Sequence, residues 1–241
     1  PVSLRRTRVP AEMNLTLTER YARPADLPAR IPIFPLRGAI LLPRATLPLN
    51  IFEPRYLEMI DDAMSSARVI GILQPMLADD EDQESPLDKA AKLRAVGCAG
   101  RVTSYQELDD GRLIITLTGI TRFECVGEAE TDKPYRIMSV SYDRFASDLT
   151  EGLGEELVDR KNLLRVLKTY LEVNRLKTDW ATIQRASNEF LINALSVMCP
   201  YGPEEKQALL EAKDLKSRAE VLVALAEIDL ASNGSSGSTL Q

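Results

Sequence analysis

Ile33-Phe34-Pro35-Leu36-Arg37 runs on to Leu41-Leu42-Pro43-Arg44, and is followed by Leu47-Pro48-Leu49-Asn50-Ile51-Phe52-Glu53-Pro54-Arg55-Tyr56. Apolar residues and prolines alternate too densely here for an ordinary helix or a central strand. The chain must run extended, turn, run extended again, and enter a helix at Pro54, a favourable first-turn residue. Working outward, the same extended character continues over residues 28–147. Strands are expected at 30–36, 46–51, 69–74, 96–106, 112–118, 121–129 and 135–145. In 112–118, Leu113, Ile115 and Leu117 alternate with more polar neighbours, the period of a half-buried strand. Asp109-Asp110-Gly111 separates two such runs and reads as a hairpin turn. Gly97, Gly100 and Gly119 are expected to mark bulges or bends. One helix, about 54–66, interrupts this lobe, with Leu57, Ile60 and Met64 on one face.

From about residue 155 the period becomes helical. Leu157, Leu164, Leu167 and Leu171 form one stripe, and Ile183, Ala186, Phe190, Ala194 and Val197 a second. Pro200-Tyr201-Gly202-Pro203 breaks that helix and Pro203 opens the next, with Glu204 and Glu205 at the positive end of its dipole. Leu215, Ala219, Leu222 and Ala226 give a last helix ending near Leu230. The expected organisation is an N-terminal arm over 1–27, a β-rich lobe over 28–147, a helical bundle over 148–230 and a flexible Ser/Gly tail over 231–241. The fold class is α+β.

The chain has 241 residues and a formal charge of −6, which opposes nucleic-acid binding through phosphates. The excess is uneven: residues 1–30 hold six arginines against Glu12, Glu19 and Asp26, whereas Asp79–Glu84 is a run of acids. That run lacks the spaced ligands and central glycine of a calcium loop and reads as solvated. No apolar run suits a bilayer span, and residues 1–23 lack the apolar core of a signal peptide, so a cytoplasmic location is expected. The chain has no histidine, which removes Ser-His-Asp and Cys-His chemistry and the HExxH zinc motif. Cys98, Cys125 and Cys199 are far apart and form no CxxC, so reduced, packed thiols are expected rather than a zinc site. Asp61 and Asp62 diverge around their helix, and Ser65-Ser66 and Ser104 have no activating neighbour in sequence. No cofactor or metal is expected.

The opening stretch, Val96-Gly97-Cys98-Ala99-Gly100-Arg101-Val102, the Asp110-Gly111-Arg112 turn, Gly119-Ile120-Thr121-Arg122-Phe123, Pro134-Tyr135-Arg136 and Pro203–Leu210 together resemble the N-terminal substrate-binding domain of Lon proteases, in order, over roughly residues 28–230. The resemblance implies an N-terminal PUA-like β-barrel lobe followed by a C-terminal helical bundle. It also implies non-catalytic binding of an unfolded or extended polypeptide, selecting or delivering it for a protease or chaperone machine. Full-length Lon continues into ATPase and Ser–Lys protease domains. No G-x-x-x-x-G-K-[ST] loop occurs here and nothing aligns with the protease, so the chain is similar to a stand-alone form. Phe34, Leu42, Leu49, Phe52, Arg55 and Arg122 are the candidate peptide-binding residues, each set against a plainer role. The apolar four would equally build the lobe core, Arg55 would pair with Glu53, and Arg122 would satisfy internal hydrogen bonds. The second reading is an RNA-binding PUA-like module, using a basic face of the arm, Arg101, Arg122 and Arg136. A hydrolase is the third.

Overall fold

The computed structural model describes residues 16–76, 91–174 and 180–236. The first part of the expected arm, almost all of the 78–92 loop with its acidic run, and the last residues of the expected tail lie outside the described residues. The rest of the arm is folded. Helix α1 (Leu17–Arg20) is closed by a capping box in which Thr16 and Glu19 exchange hydrogen bonds. Tyr21 and Leu27 are buried against the β-lobe, and the Tyr21 hydroxyl accepts from Arg101 at 2.9 Å.

The β-lobe contains β1 (Arg30–Pro35), β2 (Thr46–Ile51), helix α2 (Pro54–Met64), β3 (Val69–Leu73), β4 (Val96–Glu107), β5 (Leu113–Glu128) and β6 (Arg136–Ser141). The six strands form one sheet in the order β2-β5-β4-β3-β1-β6. β1 and β3 are parallel; the other strand pairs are antiparallel. β5 pairs β4 along one edge, while its other edge meets β2 over its first half and β6 over its last. The pairings therefore run in a ring, β5-β4-β3-β1-β6 and back to β5, with β2 attached outside it. The β4–β5 ladder slips at Ala99/Gly100 and Val102/Ser104, where the sheet bends.

β5 is one long strand where two were expected, because Gly119 does not break it. The backbone of Leu42 passes so close that a Cβ at position 119 would sit 2.0 Å from the Leu42 carbonyl oxygen. Gly119 also exchanges backbone bonds with Arg44 and Ala45, which fills the gap along β5 between β2 and β6. The expected hairpin turn is present: Leu108 donates to the Arg112 carbonyl and accepts from Gly111, whose φ is +80°.

The helical part comprises α3 (Arg160–Val173), α4 (Trp180–Arg185), α5 (Asn188–Met198), α6 (Pro203–Glu211) and α7 (Leu215–Ser236). Each of the two expected stripes holds in part: Leu167, Leu171 and Ile183 are buried and Leu164, Ala186, Ala194 and Val197 half-buried, and one residue of each falls outside. Leu157 ends a short 3-10 turn (Glu155–Leu157) and is 60% exposed, while α3 buries Leu163, Val166, Leu167, Tyr170 and Leu171. The Ile183–Val197 stripe spans two helices. Ser187 caps a fresh start, accepting from Phe190 N–H, so a spacing counted across it misplaces Phe190. Phe190 is 53% exposed, and α5 instead buries Leu191, Ile192, Asn193 and Ser196. α7 runs on past Leu230 to Ser236, through residues read from composition as tail. Its Leu215, Ala219, Leu222 and Ala226 are buried as expected.

Candidate functional site

Arg122 does not face a ligand. It lies on β5 at the junction of the two lobes and is 2% exposed. Its Nε and Nη2 donate to the two oxygens of Asp148, each at 2.8 Å. Nη1 donates to the carbonyls of Leu210 (3.0 Å) and Ala212 (2.6 Å) at the end of α6. The guanidinium also lies 4.3 Å above the Phe145 ring. Such a bidentate, carbonyl-bound and buried arginine joins the lobes.

The same junction assembles residues that the sequence reading passed over. Arg44, held at φ +62°, donates to Glu189 and to the Asp148 carbonyl. Glu189 also accepts from Gly152 N–H at 2.9 Å. Asn193 donates to the Pro43 carbonyl and accepts from Arg218, whose Nε reaches the Leu209 carbonyl. Gln74 bridges to Gly38, Pro203 and Gln207. The available signal was no more than polar residues set within an apolar run, Asn193 and Ser196 within Phe190–Met198.

The other candidates gather around the β2–α2 corner, with one exception. Leu42 is fully buried beneath Gly119, and does not reach a surface. Phe34 is also buried; its ring packs on Tyr56 at a tilt of 48°, with centroids 4.3 Å apart. Arg55 lies 4.8 Å from the centre of the Tyr56 ring, and donates from Nε and Nη2 to Glu53. Leu49 is half-buried on β2 and Phe52, which follows it, is 62% exposed. The half-buried Leu47 and Leu57 belong to the same apolar cluster. An open cleft of about 380 Å³ lies elsewhere on the lobe, lined by Glu128, Ala129, Glu130, Thr131, Tyr135 and Arg136. Tyr135 donates to Asp62 at 2.6 Å, and burial first, then that bond, push its phenol up to about 12. Lys133 pairs with both Asp62 and Glu58, so the ion pairs beside this cleft are closed on themselves.

Burial pushes the Cys98 and Cys199 thiols up and Cys125 to about 11, which keeps all three protonated at neutral pH. Burial lowers Lys206 to about 8. Its Nζ is nevertheless occupied by the carbonyls of Ser196 and Val197, and the Ser196 hydroxyl, itself buried, donates to Ile192. That is a capped helix end, not an activated serine. Among the described residues no group of three or more His, Cys, Asp or Glu could hold a metal, and no helix is long and apolar enough to cross a membrane. Three of the arginines considered for a basic face have partners within the fold. Arg101 is bound to Tyr21 and Ala67, Arg122 to Asp148, and Arg136 to Glu128.

A family model described as the ATP-dependent protease La (LON) substrate-binding domain matches residues 30–227. Lon protease 2 of Myxococcus xanthus is 30% identical over 207 residues, covering 83% of this chain and 24% of its own length. Lon protease of Flavobacterium johnsoniae is 27% identical over 199 residues, covering 80% and 23%. The chain thus spans about a quarter of the length of these relatives. Among solved structures, a Lon N-terminal domain protein from Xanthomonas campestris matches with a TM-score of 0.55 at 23% identity, over 81% of this chain and 97% of that one. The N-terminal domain of Lon protease from the Mycobacterium avium complex matches with a TM-score of 0.56 at 16% identity, over 82% and 98%. These likenesses support the α+β fold.

Proposed function

The chain belongs to the substrate-binding domain family of ATP-dependent protease La (LON), and on that premise we propose that it binds extended or unfolded polypeptide without catalysing a reaction. The ring of strands is then a PUA-like barrel, and the helical bundle, fixed to it through Arg122 and its neighbours, is a rigid backing. In this role the domain selects or delivers substrates for a protease machine. The observation that carries the reading is apolar surface around the β2–α2 connection, where Phe52 is exposed and Leu47, Leu49 and Leu57 are half-buried. Clustered apolar surface of this kind marks interaction sites. Burial returns about 25 cal/mol per Å², less the cost of ordering a flexible chain. Affinity of about micromolar is therefore expected. The test is fluorescence anisotropy with labelled, reduced and carboxymethylated lactalbumin, native lactalbumin serving as control. Binding of the unfolded form alone, with neither ATP hydrolysis nor casein cleavage, is the expected result. Equal binding of both forms, or none, overturns the reading.

A further inference from the structure

The arm formed by β2, the first half of β5 and the end of β4 has two outer edges, and they differ. Along a strand, backbone N–H and C=O groups alternate between the two sides. Gly119 N–H donates to the Ala45 carbonyl, so in the strand that follows Leu47, Leu49 and Ile51 turn their backbone toward β5. Thr46, Pro48 and Asn50 turn theirs outward, and Pro48, at the middle of that edge, has no N–H to offer. A proline so placed is a known device against unwanted strand pairing.

The opposite edge has no such protection. β3 pairs β4 only as far as Arg101, followed by one bond from Val102 to the Arg68 carbonyl. Beyond it, Thr103–Glu107 are all exposed; Thr103 lies in the irregularity of the ladder, and Ser104–Glu107 pair with Thr116–Leu113 of β5. Leu108 bonds across the hairpin to Arg112 and Gly111, so Leu108, Gln106 and Ser104 face β5. Tyr105 and Glu107 therefore direct their N–H and C=O groups outward, without a partner strand among the described residues. The Tyr105 side chain, 40% exposed, adds an apolar ring. Glu107, two residues on, shares its face of β4, and burial first, then Asp61 on α2 and Glu107, push its phenol up. Neither carboxylate has an ion pair among the described residues.

We propose that the Thr103–Glu107 edge of β4 receives the bound polypeptide as an added antiparallel or parallel strand, and that it favours extended segments carrying lysine or arginine beside apolar residues. Main-chain hydrogen bonds supply affinity without reading sequence, which suits a domain that takes many unfolded chains. Asp61 and Glu107 supply the charge preference. The inference rests on the function proposed above and adds a main-chain contact to the apolar surface around Phe52.

The experiment compares wild type with Tyr105→Pro, which deletes one outward N–H together with the ring, and Tyr105→Ala, which deletes the ring alone. Each is titrated into labelled carboxymethylated lactalbumin, and into two short extended threonine–valine peptides, one bearing lysines and one glutamates. Amide hydrogen exchange is followed in wild type with and without lactalbumin. Expected are binding about tenfold weaker for Tyr105→Pro with an unchanged melting temperature, a smaller loss for Tyr105→Ala, and preference for the lysine peptide. The Tyr105 and Glu107 amides should exchange fast in the free protein and slowly when it is saturated. If lactalbumin binds wild type while those amides exchange as before, the edge is not the site although the binding function stands. If they are already protected in free protein in a concentration-dependent way, the edge pairs a second copy instead and the proposal fails. If wild type binds no lactalbumin, both readings fall. Should Tyr105→Pro not fold, the exchange measurement on wild type decides alone.

Discussion

At the junction of the lobes, Arg122 sends its guanidinium hydrogens to Asp148 and to two carbonyls at the end of α6, and the helical lobe closes over it. At the other end of β5, Phe52 and Thr103–Glu107 stand in solvent, and β4 ends with one side of its backbone unpaired. The first region buries polar groups and satisfies them; the second exposes apolar and main-chain groups and leaves them open. Burying charge is tolerated only where hydrogen bonds replace water. Leaving a strand edge bare is tolerated only where it is short or used. The comparison separates residues that hold this molecule together from those free to hold something else.

The sharpest way to break the comparison is at the junction. Asp148→Ala should cost about 3–5 kcal/mol, because it strands the Arg122 charge without its carboxylate. The double variant Arg122→Met/Asp148→Leu should recover most of that loss. Urea unfolding measures both, and equal destabilisation by single and double variants would show that packing, not charge, governs the site. Gly119→Ala comes next. Its Cβ would collide with the Leu42 backbone, and a loss of about 2–4 kcal/mol is expected by thermal unfolding.

Lys206 gives a pH signature. Burial lowers it to about 8 in the folded chain, against an ordinary lysine value near 10.4 in the unfolded one. Below pH 8 both states carry the proton and the folded protein bears the full desolvation penalty. Between about 8 and 10.5 the unfolded state holds more protons, so stability should rise with pH, by on the order of 1–3 kcal/mol. Lys206→Met should lack that rise; parallel curves for the two proteins would contradict it. The smallest stability effect belongs to the open corner. Phe52→Ser should alter stability by no more than about 0.5 kcal/mol while weakening lactalbumin binding. A large drop in melting temperature would return Phe52 to the core.

What could be read in advance follows the range of the interaction. β2 begins and ends at the expected residues, the Asp109-Asp110-Gly111 turn is in place, and the α7 stripe is buried as spaced, because alternation and turn chemistry are local. Leu42 and Phe34 were candidates because dense apolar sequence looks the same whether it lines a groove or fills a core. The difference between them and Phe52 lies in what packs above, and that is supplied by distant chain. Arg122 had Asp148 and the α6 carbonyls as partners, none of them near it in sequence. On the helices, the fresh start at Ser187 reset the phase, which a continuous spacing count cannot register.

The length of chain between Arg122 and its partners also bears on how the molecule is made. The Leu210 and Ala212 carbonyls lie 88 and 90 residues downstream. At ribosomal rates of about 5–20 residues per second, roughly 5–20 s separate their emergence from that of Arg122. Throughout that interval the arginine needs water, so the side of the strand ring that carries it stays open until α6 arrives. The N-terminal lobe therefore completes its folding late, in one step with the C-terminal helices, and the boundary between the lobes is a poor place to divide the gene.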